Sequence, residues 1–343
     1  MKEQTVQWGI LGCARIAATA LIPGIQGSRN GVVAAVASRR LDKAQEYARR
    51  FGVPRAYGSY EELLDDPEIR AVCVPLPNGL HREWTIKAAE KGKHVLCEKP
   101  VACSGAEAQE MSEACRANGV LLMEAFAQRF HPQYQRVLEL IRGGRIGRIL
   151  RINAAMSRSV YPAEDIRMNP SLGGGALMDL GCYCINTARY LIGSEPASVF
   201  ATQETGTSGV DERTTGTLYF PAGEVLQFDT NLYMEEKYYE QGCTVTGEKG
   251  SVSIQQPFSQ VELLRFGQMK EAELVVSDHL IGDGRTETVR TEAVHQYRLE
   301  QEFFSDRILA GGRMEPPGED GVANMRVIDA VVRSARTGAP VKL

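Results

Sequence analysis

Asp179 and Tyr183 stand four residues apart in GALMDLGCYCINTARYLIG, a stretch patterned as a helix, so both project from one face. A phenol with an ordinary pKa near about 10 is a poor base at neutral pH. A nearby ammonium stabilises the phenolate and brings that value down. Such an ammonium stands in HVLCEKP, His94 to Pro100, an apolar strand that ends on an acid, a base and a proline. Lys99 there is either a solvated strand cap or a cation that polarises a substrate oxygen and acidifies a neighbour. Tyr183 is correspondingly either that neighbour or a ring packed in a helix core.

A third feature is a glycine loop. The first strand runs into GILGCARIA, which aligns with the dinucleotide fingerprint GxGxxG/A as Gly12-x-Ala14-x-x-Ala17. Such a loop turns tightly and brings backbone close to a pyrophosphate at a helix N-terminus. Gly12, Cys13, Ala14, Arg15 and Ile16 are the candidate cradle. Alanine at position 14 departs from the fingerprint, and the other reading is a strand–helix turn that needs small residues for packing. The second strand ends in Ala37-Ser38-Arg39-Arg40, with no acid to take a ribose 2′-hydroxyl. Ser38 and Arg39 suit a 2′-phosphate instead, so NADP is expected over NAD. Asp42 belongs to the next helix N-terminus.

The elements that must position these groups alternate cleanly at first. VQWGILG, VVAAVAS, AVCVPLP, HVLCEK and VLLMEAF read as buried strands, separated by helical patterns. Ser59, with Glu62 three residues on, reads as a helix N-cap. After about residue 124 strands dominate: GRILRINAAMS, ASVFATQE, TTGTLYFP, VLQFDTNLYM, QGCTVTGEKG, GSVSIQ and VELLRFG. Two helices, HQYRLEQEFFSDRILAGG and GVANMRVIDAVVRSARTG, close the chain. The expected fold is α/β, with a doubly wound parallel sheet over residues 1–123 and a second α/β domain over 124–343. A length of 343 residues agrees with two cores.

A net charge of −4 gives no case for nucleic acid or an anionic membrane, and no apolar run approaches a membrane span. The N-terminus has no secretory pattern, and the eight cysteines form no CxxC pair, so a cytoplasmic protein with reduced thiols is expected. Neither histidines nor cysteines show metal spacing, and Cys182-Tyr183-Cys184 splays its thiols around a helix.

Five segments in order resemble the glucose-fructose oxidoreductase / inositol dehydrogenase / MocA-type family of nicotinamide-dependent oxidoreductases. They are WGILGCARIA, VCVPLPNGLH, Glu98-Lys99-Pro100, Met123-Glu124-Ala125-Phe126 with Arg129, His131 and Pro132, and GGGALMDLGCY. The resemblance implies an N-terminal Rossmann domain and a C-terminal domain with a large, open-faced, mostly antiparallel sheet that makes a homodimer or homotetramer. It implies that Leu76, Pro77, Asn78 and His81 form a turn beside the cofactor, and that Glu98 is a scaffold or ribose contact. It places Lys99 beside nicotinamide and substrate, with Asp179 and Tyr183 completing the catalytic set. Histidine is common where this chain has Tyr183; sugar oxidoreductases and dimeric dihydrodiol dehydrogenases in the family carry tyrosine. Arg129 and Arg167 are weaker substrate-binding candidates, with surface salt bridging as the alternative.

The reading is an NADP-preferring dehydrogenase of a sugar or polyol, an aldose in first place. Its rivals are a sugar oxidoreductase with retained cofactor, redox-assisted glycoside cleavage, a trans-dihydrodiol dehydrogenase, and a nicotinamide-binding sensor without turnover.

Overall fold

The computed structural model describes residues 5–235, 238–258, 269–281, 284–311 and 318–343. The expected strand VELLRFG lies outside the described residues. The chain divides into two compact units, one built on the stretch through Phe130 and the other from His131 onward.

In the first unit are six short strands, five of them mostly apolar and largely buried, as strands covered on both faces must be, with the edge strand Arg55–Tyr57 half-buried. They are β1 (Val6–Leu11), β2 (Gly31–Ala37), β3 (Arg55–Tyr57), β4 (Ala71–Val74), β5 (His94–Glu98) and β6 (Leu122–Ala125). All pair in parallel, in the order β3-β2-β1-β4-β5-β6. The reversal of strand order beside β1 is where such sheets bind ligands, at the strands' carboxyl ends. The connecting helices are α1 (Ile22–Gln26), α2 (Leu41–Phe51), α3 (Tyr60–Asp65), α4 (Asn78–Glu90) and α5 (Gly105–Ala117). Ser59 caps α3 as expected, its hydroxyl accepting from the Glu62 amide at 3.1 Å. A late helix, Gln296–Ala310, folds into this unit and packs against α1, β1 and β2. Its buried stripe is unusually polar: Glu300, Gln301 and Ser305 sit among Tyr297, Phe304 and Ile308. Ser305 accepts from the Trp8 indole at 3.2 Å, and Gln301 donates to the Leu21 carbonyl at 3.2 Å.

The second unit is a nine-stranded mixed sheet. Its strands are β7 (Ile149–Arg158), β8 (Ser198–Thr205), β9 (Asp211–Tyr219), β10 (Val225–Asn231), β11 (Tyr239–Gly247), β12 (Gly250–Ile254), β13 (Ala272–Asp278), β14 (Thr286–Thr291) and β15 (Val341–Lys342). Their order is β14-β13-β12-β11-β7-β10-β9-β8-β15, antiparallel except for β7 with β10. β13, β14 and β15 are additional to the expected strands: β13 alternates with Ala272, Leu274 and Val276 buried, β14 is largely exposed and β15 has two residues. Alternation decides the faces. Ile152, Ala154 and Met156 of β7, with Leu226 and Phe228 of β10, are buried on one side. Asn153, Thr215, Gln227, Thr244 and Ser253 line the other, open side. α6 (Pro132–Arg142) and α7 (Cys182–Ile192) belong to this unit, and α7 is buried along almost its whole length. Among the described residues no helix is long and apolar enough to cross a membrane, and all eight cysteines are free thiols.

Candidate active site

In the first unit the candidate cofactor residues gather after β1, β2, β4 and β5. Gly12 ends β1 with φ +106°, a backbone conformation that favours glycine. A Cβ there would meet Leu76 at 2.9 Å, and the Gly12 amide donates to the Ala37 carbonyl. This is a turn built for close approach, and it fits a dinucleotide pyrophosphate. Ala14 packs its methyl against the apolar layer, while its carbonyl accepts from the Tyr47 hydroxyl and the Ala18 amide. Cys13 is half-buried, which pushes its thiol pKa up, and Ile16 packs beside it; Arg15 is exposed. The helix then begins with a wide turn, Ala17–Leu21, in which the Ile22 amide reaches back five residues to Ala17.

At the end of β2, Ser38 is buried and Arg39 exposed. Arg39 interacts with the Tyr60 hydroxyl; burial raises that phenol's pKa and Arg39 partly offsets it. Asp42 lies in the first turn of α2, paired with Arg40. The carboxylate nearest the ribose end is thus already engaged.

Asn78 and His81 lie in the first turn of α4 instead of in a free turn, because Pro77 has the φ that leads into a helix. His81 is fully buried with its Nδ1 2.9 Å from the Pro100 carbonyl and its Nε2 2.8 Å from that of Leu76. Burial lowers its pKa. It braces the Leu76–Pro77 turn against the strand end that carries Lys99. The Lys99–Pro100 peptide is cis. Glu124 holds the chain just beyond, accepting from the Val101 amide at 2.8 Å. By the strand's alternation Glu98 shares the face of Leu96 and Cys73, which is the face covered by the late helix. Arg129 is buried and ion-paired to Asp320 at 2.7 Å.

In the second unit the helix bearing Asp179 and Tyr183 is irregular. Leu177–Gly181 is a second wide turn, closed by the Cys182 amide on the Leu177 carbonyl, and α7 follows. Glycines let it form. Gly175 has φ +114°, and a Cβ there would lie 2.0 Å from an Asp211 oxygen. Asp211 in turn accepts from the Leu177 amide at 2.8 Å and the Thr214 hydroxyl at 2.7 Å. Burial raises its pKa to about 6 against those hydrogen bonds.

Asp179 is clamped at both oxygens. The Tyr161 hydroxyl donates to Oδ2 at 2.5 Å, and Arg167 Nε lies 3.2 Å from Oδ1. Arg167 also reaches Asp165 at 3.2 Å, and Asp179 holds its pKa well above the usual value. Burial and the Asp179 charge push the Tyr161 phenol far up, so Tyr161 is a donor and not a base. Tyr183 is 8 % exposed, with its ring 5.9 Å from that of Phe258. Tyr161, Asp211 and Arg158 had no motif to announce them. Each comes from a strand or loop remote in sequence from α7. Among the described residues no cluster of histidine, cysteine or acid could hold a metal.

The family described as "Oxidoreductase family, NAD-binding Rossmann fold" matches residues 6–126, and "GFO/IDH/MocA C-terminal domain" matches residues 134–253. The chain is similar to D-xylose 1-dehydrogenase (NADP(+)) 2 of Haloferax volcanii, 37% identical over 98% of this chain and 100% of that protein. It is similar to trans-1,2-dihydrobenzene-1,2-diol dehydrogenase of Mus musculus, 34% identical over 78% of this chain and 79% of that one. Among solved structures, the aldose-aldose oxidoreductase from Caulobacter crescentus, complexed with glycerol, superposes with a TM-score of 0.88 at 29% identity, covering 99% of this chain and 100% of that one.

Proposed function

The chain belongs to the GFO/IDH/MocA oxidoreductase family, and from that premise we propose that it is an NADP-preferring dehydrogenase of a sugar or polyol, an aldose in first place. Residues 1–123 bind the dinucleotide; residues 124–343 take the substrate and carry the contact between copies. A nicotinamide held there would supply the hydride acceptor for the carbinol or hemiacetal carbon. Tyr183 takes the hydroxyl proton, and Lys99 lowers its pKa and orients the oxygen. Asp179, its own oxygens held by Tyr161 and Arg167, positions substrate and maintains the local charge. Arg129 and Arg167 serve the site from within ion pairs. Gly12, Cys13, Ala14, Arg15 and Ile16 cradle the pyrophosphate, with Leu76, Pro77, Asn78, His81 and Glu98 bordering the nicotinamide half. Ser38 and Arg39 take the 2′-phosphate, a reading supported by the pairing of Asp42 with Arg40.

The observation that carries the acid–base assignment is the doubly held Asp179 four residues before Tyr183. The end-to-end likeness to an NADP(+)-dependent xylose dehydrogenase supports the substrate class. The open, polar face of the nine-stranded sheet supports a homodimer or homotetramer, and light scattering on the purified protein reads that directly. The free thiols agree with a cytoplasmic site of action.

The test is incubation with NADP⁺ or NAD⁺ and a panel of aldoses, polyols and dihydrodiols, following reduced nicotinamide by absorbance. Reduction with an aldose and a preference for NADP⁺ is expected. Turnover confined to dihydrodiols would replace the substrate class. The likeness to an aldose-aldose oxidoreductase favours a second reading, in which cofactor stays bound between half-reactions. Denatured protein would then release nicotinamide, and reduction of free NADP⁺ would be absent.

A further inference from the structure

Arg158 is the last residue of β7 and shares the strand parity of Ile152, Ala154 and Met156. It therefore lies on the covered face of the sheet, the face against which the wide turn of Asp179 and α7 pack. Its guanidinium sits 4.2 Å over the Tyr161 ring, and the hydroxyl of that ring is the donor to Asp179. Arg167 lies over the same ring at 4.9 Å, but its charge is spent on Asp179 and Asp165. Arg158 has no carboxylate within ion-pair distance among the described residues, and its Nε is buried without an acceptor. A guanidinium stacked on a ring has its plane held and its donor edge free for recognition. The Nε itself has no exposed surface, so recognition of a ligand oxygen falls to the two outer guanidinium nitrogens.

We propose that Arg158 is a specificity-determining residue that donates to hydroxyl oxygens of the sugar remote from the reacting carbon. This rests on the oxidoreductase reading above. Around the Tyr161 ring two guanidiniums, Arg158 and Arg167, face two carboxylates, Asp165 and Asp179, and Arg167 is the one ion-paired to both. Arg158 is thus the guanidinium left to meet an uncharged acceptor such as a sugar hydroxyl.

The experiment compares wild type with Arg158→Lys and Arg158→Met on xylose, glucose and glyceraldehyde with NADP⁺. The Met variant keeps an apolar stem over Tyr161, and melting curves check both folds. The expected result is a KM for xylose and glucose raised roughly 10- to 100-fold in the Met variant, with a smaller fall in kcat. Lys should fall between, since an ammonium lacks the planar fork. For glyceraldehyde, which lacks the remote hydroxyls, the variants should differ from wild type by less than about threefold. Equal losses on long and short aldoses would make Arg158 merely structural and overturn the proposal. If wild type turns over no sugar, the oxidoreductase reading is what fails. Saturation-transfer NMR with xylose then decides Arg158 separately: equal signals from wild type and Arg158→Met sink it, and signals lost in the variant uphold it.

Discussion

Two helices in this protein begin with a wide turn, one in each unit, and they finish it differently. Ala17–Leu21, after the glycine loop, has no side-chain cap and no acid in its first turn. Leu177–Gly181, leading into α7, carries Asp179 within the turn and receives Asp211 from β9 on the Leu177 amide. The positive end of a helix attracts negative charge. The first unit leaves that attraction to a ligand, as a dinucleotide-binding fold does. The second satisfies it with its own carboxylates and then pins those with Tyr161, Arg167 and Thr214. In the proposed assignment backbone presents the cofactor surface, while a side-chain network presents the catalytic one. A bound pyrophosphate needs only amides and space, whereas proton transfer needs a group held in place to a fraction of an ångström.

If that contrast is right, the units should fail in different ways. The largest effect belongs to Tyr183→Phe and Lys99→Ala. Turnover should drop at least about 100-fold while cofactor still binds, as fluorescence titration with NADPH would report. Retained turnover in either variant removes the acid–base pair from the account. Arg39→Ala strikes the cofactor surface alone. It should raise the KM for NADP⁺ roughly 10- to 100-fold and leave that for NAD⁺ nearly unchanged, and a parallel rise for both would dissolve the 2′-phosphate assignment.

Asp211→Ala removes the borrowed cap of the second helix. A stability loss of about 1–2 kcal/mol is expected from urea unfolding, with lowered kcat and an unaltered Kd for NADPH. A weakened NADPH affinity instead would show that the two halves are not separable in this way.

The smallest effect concerns Glu300, a fully buried acid on the late helix of the first unit. Burial first, and Glu98 second, raise its pKa well above the ordinary value. The folded chain therefore keeps a proton that the unfolded chain gives up near about pH 4.3. Stability falls as pH rises above that point and levels off once the folded pKa is passed. Glu300→Gln should flatten this slope in melting temperatures taken between about pH 5 and 9. An unchanged slope would mean the acid is ionised in the fold.

The parallel strands were readable because their signal is local. Gly12 to Ala17, Ser38–Arg39 and Glu98–Pro100, the runs proposed to meet the cofactor, are contiguous and stand at the ends of buried parallel strands. The Ser59 cap was readable for the same reason. Asp179 and Tyr183 came from helical spacing, but that spacing did not announce the wide turn on which Asp179 sits. β14 and β15 escaped notice because edge strands bury too little to show alternation, whereas β13, inside the sheet, does alternate, with Ala272, Leu274 and Val276 buried. The fate of Arg129 was equally hidden, since its partner Asp320 lies far along the chain.

What the sequence by itself determined is the alternation of strands and helices, the parallel sheet that follows from it, the glycine turn after β1 and the acid-and-phenol spacing on α7. These depend on periodicity and on backbone sterics acting within a few residues. Only the tertiary structure decided who holds Asp179, what caps its helix, and which arginine keeps an orphan donor beside the Tyr161 ring. The contacts that hold Asp179 and cap its helix join residues 12 to 34 positions apart, and hydrogen bonding between distant side chains leaves no periodic mark in the chain that makes it.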